Sequence, residues 1–570
     1  MNRLVLILVF LLTIFSTTIT VAQQLSYNPE VLDYALELEI VEAPEQTYRA
    51  YILLKDQVNM TELKQQFEVL RASRAQRART IVNQLKDKAA QSQAGFIREL
   101  QGSAEVIPGS IKPYWITNMV LVEATGNYLA QLSLHPAVQQ IEEAFVDQIH
   151  KGKTSVPEEL ALVPNGREPG LTTIKANKLW EMGYTGYGTK VMIIDTEIDF
   201  DHPALRTQFL YNNVPVEQAY FGQISGELCF DHGTTVVGVV LGLDRMTNDT
   251  IGVAFNAKYM NGPVPFVDED GNECVPPGER TTSVDALQYA LNPDGNSNTT
   301  SDIPDVINNS YGTPITNSRD CQNPIQRNIY TNLDAAGVSV IFSAGNAGPE
   351  EGTLNLQSSL NFDLYTPFVV GSIESNNTIS EFSSRGPSLC IDGPNSFKPD
   401  VVAPGAEIRT SRPGNGYTSI SGTSFSAPYV TGAVLLLKEA FPNLTGRRLN
   451  EALTVTATDL GSSGDDNIFG RGLIDVYAAY IWLINQGHTP TPALRSANDA
   501  ILTDVETRNV ECGRMIQPIL TITNNGTEDI TSLEINFQRE SDRSNLSPVN
   551  WTGRIPVGET KKITVGPINA

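Results

Sequence analysis

Between residues 171 and 486, apolar runs typical of β-strands alternate with patterns typical of α-helices. The strand candidates are, in chain order, VMIIDT, KYMNGPVPFV, DVINNS, VSVIFSAG, TPFVVGSI and KPDVVAP. The helical candidates are TTVVGVVLG, SVDALQYAL, IQRNIYTNLDAAG and SAPYVTGAVLLLKEAF. Strands that are apolar throughout and are separated by helices predict an α/β fold, with a parallel β-sheet covered by helices on both faces. Ligands of such folds bind at the carboxyl ends of the strands.

The flanking regions have other patterns. Strand-like runs YRAYILLK, WITNMVLVEA and AVQQIEEAFVDQ, with helical periodicity over residues 60 to 100, predict a small α+β unit before the α/β domain. After it, alternating runs PILTITNN and SLEINFQ predict an antiparallel β-sandwich-like module, which is either small or incomplete. The predicted segments are a signal peptide (1–22), the α+β unit (23–150), a linker (151–170), the α/β domain (171–486), a second linker (487–505) and the β module (506–570).

The N-terminal 22 residues indicate export. Arg3 precedes an apolar stretch from Leu4 to Phe15, and small residues lie before Gln23, which is the pattern of a secretory signal peptide. No other stretch is apolar enough to span a bilayer, so we expect a secreted or extracytoplasmic protein with no transmembrane segment. The formal net charge of -24 opposes contact with phosphate backbones, so no nucleic-acid partner is expected.

The five cysteines are scattered through the chain rather than arranged as a disulfide scaffold. An oxidising destination allows one or two bridges and leaves an odd thiol, and a bridge between Cys274 and Cys321 is one candidate pairing.

A basic face is expected on the predicted helices of residues 60 to 100. Its residues are Lys64, Arg71, Arg74, Arg77, Arg79, Lys86, Lys88 and Arg98. We interpret it as an ordinary solvated helix face. The alternative is that it docks on an acidic surface, including one on the same chain.

The strongest local motif is SGTSFSAPYVTGAVLLL. Ser424 lies in a Gly-Thr-Ser turn, and Pro428 is expected in the first turn of a long apolar helix. A hydroxyl at a helix N-terminus lies beside unpaired backbone N–H groups and the positive end of the helix dipole, which suits a nucleophile whose product is an oxyanion. Taken alone, Ser424 is better explained as a simple helix cap.

Together with DHGTTVVGVV and VMIIDTEID, the GTSFSAP motif resembles the subtilases, the subtilisin-like serine proteases. Further similar motifs lie in order between residues 171 and 486: GTKVMIID, IGVAFNA, DVINNSYG, SAGNAG, FSSRGP, KPDVVAPG and GRGLIDVYAA. The chain order Asp, His, Ser also matches this family and differs from the trypsin order. The resemblance implies a subtilisin-like peptidase domain that hydrolyses peptide bonds through an acyl-enzyme.

The resemblance also implies roles for individual residues. Ser424 is the expected nucleophile, His232 the general base and then acid, and Asp195 the carboxylate that orients the imidazole. Asn346 matches the side-chain donor of the oxyanion hole. The segments expected to pair with an extended peptide substrate are Ser310, Tyr311 and Gly312, and Ser343, Ala344 and Gly345. The chemistry requires no cofactor.

The N-terminal α+β unit is similar to the inhibitor propeptides of the family. This likeness implies a self-inhibited precursor in which the end of the unit occupies the active site until it is cut away. The expected partners are therefore peptide or protein substrates and the chain's own propeptide. Self-cleavage is expected between about residues 148 and 170.

Two positions differ from the family pattern. Glu197 replaces the glycine that usually follows Asp-Thr, and Thr235 replaces a second histidine. Glu197 adds a like charge close to Asp195. A secreted, catalytically impaired subtilisin-like protein that acts through binding is therefore the alternative function. A sedolisin-type mechanism, with a glutamate as base, conflicts with the histidine motif.

Four acidic residues occupy alternate positions in VMIIDTEIDFDHPAL. A helix-loop-helix calcium site requires glycine at the sixth position and glutamate at the twelfth, where Phe200 and Arg206 stand. We therefore interpret Asp199 and Asp201 as solvated loop residues. We interpret the insert of residues 262 to 280 as a solvated acidic loop. The alternative is that it binds structural calcium, as many family members do. The insert does not indicate which substrate side chains are preferred.

Overall fold

The computed structural model describes the greater part of the chain. The described residues are 25–144, 147–149, 152–154, 166–224, 228, 230–268, 270–276, 281–315, 319–360, 365–391, 396–493, 500–511, 515–524, 526, 528–537 and 548–569. The predicted signal peptide and most of the first predicted linker lie outside these residues. The segment boundaries proposed above remain predictions.

Residues 25–144, here the N-terminal unit, form a four-stranded sheet with four helices. Its strands are β1 (Thr47–Leu54), β2 (Lys112–Tyr114), β3 (Met119–Thr125) and β4 (Val138–Glu143), in the order β2-β3-β1-β4. Its helices are Tyr34–Glu42, Met60–Leu70, Arg74–Gly102 and Gly126–Leu132. The second and third are separate because Arg71 has a left-handed backbone (φ 48°) and Ser73 caps the next helix, where its hydroxyl accepts from the Gln76 N–H.

Two short strands follow the N-terminal unit. They are β5 (Asp147–Ile149) and β6 (Lys153–Thr154). Strand β5 pairs with Phe266–Asp268 and β6 with Gly416–Ser421, so both pair with strands of the α/β domain.

The α/β domain, described from residue 166 to 486, contains the central sheet. Its strands are β7 (Lys190–Asp195), β8 (Leu243–Asp244), β9 (Asp249–Thr250), β10 (Lys258–Pro263), β11 (Phe266–Asp268), β12 (Glu273–Cys274), β13 (Val306–Asn309), β14 (Ser339–Ser343), β15 (Phe368–Ile373), β16 (Val401–Pro404), β17 (Ile408–Arg412) and β18 (Gly416–Ser421). Its α-helices are Pro169–Thr173, Ala176–Glu181, His232–Leu241, Ser283–Ala290, Pro324–Ala335, Leu356–Ser359, Thr423–Ala440, Gly446–Val455 and Val476–Asn485. Short 3₁₀ helices lie at Leu210–Asn212, Val216–Gln218 and Asp320–Gln322.

The central sheet confirms the predicted α/β class. Its six strands are all parallel, in the order β10-β7-β13-β14-β15-β16. Each of the six strand candidates contributes one of them. The run KYMNGPVPFV forms two strands, β10 and β11, because Pro263 and Pro265 carry no amide hydrogen to continue one ladder.

The helix Thr423–Ala440 begins one turn earlier than the sequence predicts. Ser424 is its second residue, and Pro428 lies inside the helix rather than in its first turn. Proline has no N–H to donate to the carbonyl four residues before it. That carbonyl belongs to Ser424, and it accepts a hydrogen bond of 3.0 Å from the Ser310 hydroxyl instead. Strand β13 and its continuation thus stabilise the helix where proline cannot.

The C-terminal strands are antiparallel, as predicted. They are β19 (Ala500–Glu511), β20 (Met515–Asn524), β21 (Ile530–Ile535), β22 (Val549–Ile555), β23 (Thr560–Thr564) and β24 (Ile568–Asn569). Strand β20 pairs with β19, β23 and β24, and β21 pairs with β22. Their shared core includes Leu520, Ile530 and Ile555. Strand β19 starts within the segment predicted as a linker, because Ala500 already pairs with Asn524.

The N-terminal unit has its own core and also packs on the α/β domain. Its own core includes Ile52, Phe96 and Val122. The opposite face of its sheet, with Tyr51 and Leu121, belongs to the core cluster of the α/β domain. This face packs against the helices Ser283–Ala290 and Pro324–Ala335 of the α/β domain. The N-terminal unit is therefore docked on the α/β domain.

The basic face belongs in part to this interface. Lys64 Nζ lies 2.5 Å from Asp334, and Arg74 lies 3.5 Å from the buried Asp305. Arg79 and Lys86 donate to the Asn298 carbonyl and to the Ser297 hydroxyl, respectively. The interpretation as a solvated face is therefore wrong for Lys64, Arg74 and Lys86, which are half-buried, whereas Arg79 is exposed as expected. The alternative, docking on an acidic surface of the same chain, applies to Lys64 and Arg74.

A disulfide bond links Cys321 to Cys390. The candidate pairing of Cys274 with Cys321 is therefore wrong, because Cys321 has another partner. Cys274 is itself disulfide-bonded. Cys229 and Cys512 lie outside the described residues.

Candidate active site

Asp195 and His232 form a buried pair at the carboxyl end of β7. Asp195 is the last residue of that strand, and His232 is the first residue of the helix His232–Leu241. His232 Nδ1 lies 2.8 Å from Asp195 Oδ1 and 3.0 Å from Oδ2. Thr196 supports both, since its N–H donates to Asp195 and its hydroxyl accepts from the Gly233 N–H. A Nδ1–H donor to Asp195 leaves His232 Nε2 as a proton acceptor.

A serine nucleophile passes its hydroxyl proton to a histidine nitrogen, and the two groups concerned here are the Ser424 hydroxyl and Nε2 of His232. Nε2 is buried and has no hydrogen-bond partner among the described residues. The Ser424 hydroxyl donates to the Ser310 carbonyl over 3.3 Å, a long and therefore weak hydrogen bond. The centre of the Phe425 ring lies 5.9 Å from that of the His232 ring, so the start of the helix Thr423–Ala440, here the serine helix, lies beside His232. In this arrangement the Ser424 hydroxyl is hydrogen-bonded to the Ser310 carbonyl and not to His232.

Asn346 lies beside the start of the serine helix. Its Oδ1 accepts from the Thr423 N–H at 2.9 Å and from the Thr423 hydroxyl at 2.8 Å. Both bonds fix the orientation of the carboxamide, so Nδ2 is its donor end. Nδ2 lies 3.5 Å from the position that a Cβ on Gly422 would occupy. A donor on Asn346 and the N–H of Ser424 thus both lie at the N-terminal end of one helix.

A cavity of about 250 Å³ opens beside Ser424. Five of the six residues expected to contact substrate line it: Ser310, Tyr311, Gly312, Ser343 and Gly345. Ala344 does not line it and instead packs with Leu354 and Val369. The Tyr311 side chain is buried between Phe266 and Phe342, so that its main chain rather than its ring borders the open edge.

The chain itself lies across this cavity. Strand β5 runs parallel to β11 on one side, and on the other side Gln148 exchanges two 3.0 Å backbone hydrogen bonds with Gly312. Strand β6 then pairs with β18, with Lys153 opposite Ser421. A Cβ on Gly152 would lie 2.9 Å from the Phe425 ring. The described residues 147–149 and 152–154, here the crossing segment, therefore lie beside Ser424.

Glu197 and Thr235, the two departures from the family pattern, have local partners. Glu197 is buried and accepts a 2.8 Å hydrogen bond from the Tyr220 hydroxyl. Burial and this carboxylate both raise the pKa of Tyr220. The Thr235 hydroxyl donates to the His232 carbonyl, and its own carbonyl accepts from Thr410. Glu197 is thus hydrogen-bonded within the packed structure.

The remaining acidic residues of VMIIDTEIDFDHPAL differ from each other. Asp201 is exposed, as expected for a solvated residue. Asp199 is only half-buried rather than solvated, and its carboxylate accepts from the Gly414 N–H at 2.9 Å. Its N–H donates to the Thr234 hydroxyl, next to the histidine motif. Asp199 therefore ties the loop after β7 to its neighbours.

Within the acidic insert, strands β11 and β12 pair antiparallel, and residues 270–273, which lie between these strands and at the start of β12, are exposed, as expected for a solvated segment. Asp268 accepts from the N–H groups of Asp270 and Asn272 and from the Asn272 side chain. Within the described ranges no cluster of three histidine, cysteine, aspartate or glutamate side chains is arranged to hold a metal ion. The calcium prediction for this insert remains untested.

Replacing Tyr220 by phenylalanine is expected to lower the free energy of unfolding by about 1–3 kcal/mol, because the buried Glu197 carboxylate loses a hydrogen bond. The exposed Tyr211 offers a matched control, for which Tyr211→Phe should change stability by less than about 0.5 kcal/mol. Denaturant unfolding of both variants measures the difference. Equal stabilities would show that the bond to Glu197 contributes nothing.

Comparison with known proteins agrees with the geometry. The model of the subtilase family matches residues 186–472, more than half of the chain. The chain therefore belongs to the subtilase family and is by class a serine endopeptidase, a hydrolase.

Three relatives illustrate the range of similarity. Bacillopeptidase F of Bacillus subtilis (strain 168) is 29% identical over 432 residues, which cover 71% of this chain and 28% of that protein. Subtilisin E of the same strain is 30% identical over 351 residues, which cover 61% of this chain and 77% of Subtilisin E. Subtilisin of Bacillus pumilus is 32% identical over 313 residues, which cover 54% of this chain and 97% of that subtilisin. The chain thus spans about a quarter of the length of Bacillopeptidase F.

Sequence reasoning did not identify several residues of this site. Thr196 contacts the pair of Asp195 and His232, and Ser421 pairs with Lys153 of the crossing segment, through backbone or hydroxyl groups. Their positions follow from pairing across distant parts of the chain, for which a local motif gives no signal. Asn355 is another such residue.

No helix in the described residues is long and apolar enough to cross a membrane.

Proposed function

We propose that the chain is an exported serine endopeptidase that is made as a self-inhibited precursor and cuts itself. The observation that carries this proposal is the position of the crossing segment: strands β5 and β6 flank Ser424 beside the buried pair of Asp195 and His232. A peptide held in this way lies where a substrate would lie.

The catalytic cycle assigns one task to each side chain. Ser424 rotates from the Ser310 carbonyl toward His232 and attacks the scissile carbonyl, while Nε2 takes the hydroxyl proton. Asp195 holds the imidazole through Nδ1 and stabilises the imidazolium. The negative oxygen of the tetrahedral intermediate accepts from Asn346 Nδ2 and from the Ser424 N–H. His232 then gives its proton to the leaving amine, and a water molecule hydrolyses the acyl-enzyme by the same path.

Substrates bind as an added strand. Gln148 exchanges both backbone hydrogen bonds with Gly312, and on the other side the strand Asp147–Ile149 pairs with Phe266–Asp268. Main-chain pairing of this type accepts many sequences, so an extended peptide from another protein can take the same place. Inhibition in the precursor follows, because the chain's own segment occupies that place until the N-terminal unit leaves.

The cut falls between Ile149 and Gly152. Ile149 ends the strand on the Gly312 side of Ser424, and Gly152 lies against Phe425 on the other side. Residues 150 and 151 lie outside the described residues, so one of three peptide bonds is the target. This range narrows the predicted interval of residues 148 to 170.

N-terminal sequencing and intact mass of the purified precursor after incubation test the proposal. We expect wild-type chains to begin at residue 150, 151 or 152, and Ser424→Ala chains to stay uncut. A first residue before 150 or after 152, or cleavage of the purified Ser424→Ala chain alone, would contradict self-processing at this site. A protein that cuts neither itself nor any peptide would support the alternative function, a catalytically impaired binding protein.

The hold of the N-terminal unit on the α/β domain is expected to weaken as pH rises. Glu142 accepts from Asn323 across this interface, and burial raises its pKa from 4.5 to about 8. Burial likewise raises the pKa of Asp147 in the crossing segment from 3.8 to about 6. Since the docked pKa exceeds the free value, docking takes up protons. The stabilisation is complete below the free pKa values and is lost as pH rises through about 8 for Glu142.

Inhibition by the cleaved but still bound N-terminal unit, measured as the delay before full activity, should therefore be longest at acidic pH. Glu142→Gln should reduce this pH dependence, because an amide does not titrate. The exposed Glu39 provides the control variant Glu39→Gln, which should keep the wild-type profile. Identical profiles for Glu142→Gln and wild type would remove Glu142 from this explanation.

A further inference from the structure

The cavity beside Ser424 has an amide side chain between two of its walls. Asn355 caps the short helix Leu356–Ser359, and its Oδ1 accepts from the Ser358 N–H at 3.0 Å. A cap requires an acceptor, so this bond fixes which end of the carboxamide is oxygen. Nδ2, the donor end, consequently points away from the helix.

Two glycines show where Nδ2 lies. A Cβ on Gly312 would be 1.9 Å from Asn355 Nδ2, and a Cβ on Gly345 would be 3.7 Å from it. Both glycines line the cavity, one on each of the two strand ends that were expected to bind substrate. The N–H groups of Asn355 therefore lie in the gap between these two segments. Gly312 is required there, because any side chain would overlap the amide.

The donor end of Asn355 is available to a ligand. Asn355 lines the cavity, and its Nδ2 makes no hydrogen bond to any residue within the described ranges. The lining of the cavity carries no charged side chain among the described residues; apolar residues that include Ile315, Leu354 and Leu389 supply most of its exposed area, and uncharged polar residues and glycines supply the rest. A cationic side chain would lose its water there without meeting a carboxylate. An apolar one would leave the Asn355 N–H groups unpaired.

We propose that Asn355 sets the substrate preference of this site, by donating a hydrogen bond to the substrate side chain on the acyl side of the scissile bond. The best ligand is an uncharged side chain that ends in an acceptor, as the carboxamide of glutamine does. This inference rests on the proposed peptidase function. It names a substrate class that main-chain pairing with Gly312 alone does not select.

Peptides of one series test it on the matured protein. Each carries Asp-Gln-Ile, the sequence of β5, followed by a variable residue: glutamine, methionine of nearly the same shape, or arginine. We expect kcat/KM for glutamine to exceed that for methionine by about tenfold or more, with arginine lowest, because methionine would leave the Asn355 N–H groups unpaired and arginine would meet no carboxylate. Mass spectrometry of the products locates the cut after the variable residue.

The variant Asn355→Asp keeps the capping oxygen and replaces the donor by a carboxylate oxygen. It should lose the preference for glutamine and gain activity on arginine. Asn355→Ser, which retains a shorter capping oxygen, should lose the glutamine preference without gaining arginine. Asn212→Asp, at an exposed asparagine, adds the same charge elsewhere and should keep the wild-type ranking.

Two outcomes would overturn the inference: a wild-type enzyme that cuts after methionine as well as after glutamine, or an unchanged ratio of the two in Asn355→Asp. The comparison of glutamine and methionine peptides with the wild-type enzyme tests the inference even if a variant fails to fold. Failure of the peptidase function itself is distinct, because then none of the peptides would be cut.

Discussion

Ser424→Ala is expected to lower kcat for peptide hydrolysis by a factor on the order of 10⁶, because the nucleophile and its base act as a unit. The hydroxyl is the atom that must form the acyl-enzyme, and the helix around it needs no change to accommodate alanine. Initial rates with a chromogenic peptide, after the N-terminal unit has been removed by an added protease, measure the loss. The double variant of Ser424→Ala with His232→Ala should be no slower than either single variant.

Ser426→Ala is the matched control for this experiment. Ser426 lies two residues further along the same helix, is fully buried, and its hydroxyl has no hydrogen-bond partner among the described residues. We expect kcat to stay near the wild-type value. If Ser424→Ala keeps more than about one hundredth of wild-type activity, the assignment of the nucleophile is wrong.

Asn346→Ala is expected to lower kcat by about 10²–10³ while KM changes little, because its donor is used only when the negative oxygen forms. Its Oδ1 also accepts from Thr423, so Asn346→Asp, which keeps that acceptor and removes only the donor, separates the two effects. We expect Asn346→Asp to lose at least as much activity as Asn346→Ala.

Asn212→Ala, at an exposed asparagine, controls for the change of residue type and should leave both constants unchanged. A rise in KM with unchanged kcat in Asn346→Ala would assign Asn346 to ground-state binding instead. Full activity in Asn346→Asp would show that the oxygen is held by other donors.

The central sheet was predictable because its strands are buried on both faces and therefore read as uninterrupted apolar runs. VMIIDT and VSVIFSAG are examples, and both became strands of the parallel sheet. The start of the helix Thr423–Ala440 was not predictable from local signals. Pro428 indicated a later start, and the compensating hydrogen bond comes from Ser310, more than a hundred residues earlier.

The candidate site divides in the same way. Asp195, His232 and Ser424 stand in motifs, so their approach was expected, and the structure joins Asp195 to His232. The like charge of Glu197 near Asp195 stays a prediction, while its hydrogen-bond partner Tyr220 could not be predicted, because Tyr220 is more than twenty residues away in the sequence. Asn355 carries no motif at all. Its relation to Gly312 and Gly345 exists only because three segments meet.

Labelling of the matured protein with a serine-reactive phosphonate, followed by peptide mapping, tests directly whether Ser424 is the nucleophile. We expect one label to enter at Ser424 and peptide hydrolysis to be lost in proportion to the labelled fraction. Hydrolysis that continues at full rate after Ser424 is fully labelled, or a label that abolishes activity from a different serine, would contradict this assignment.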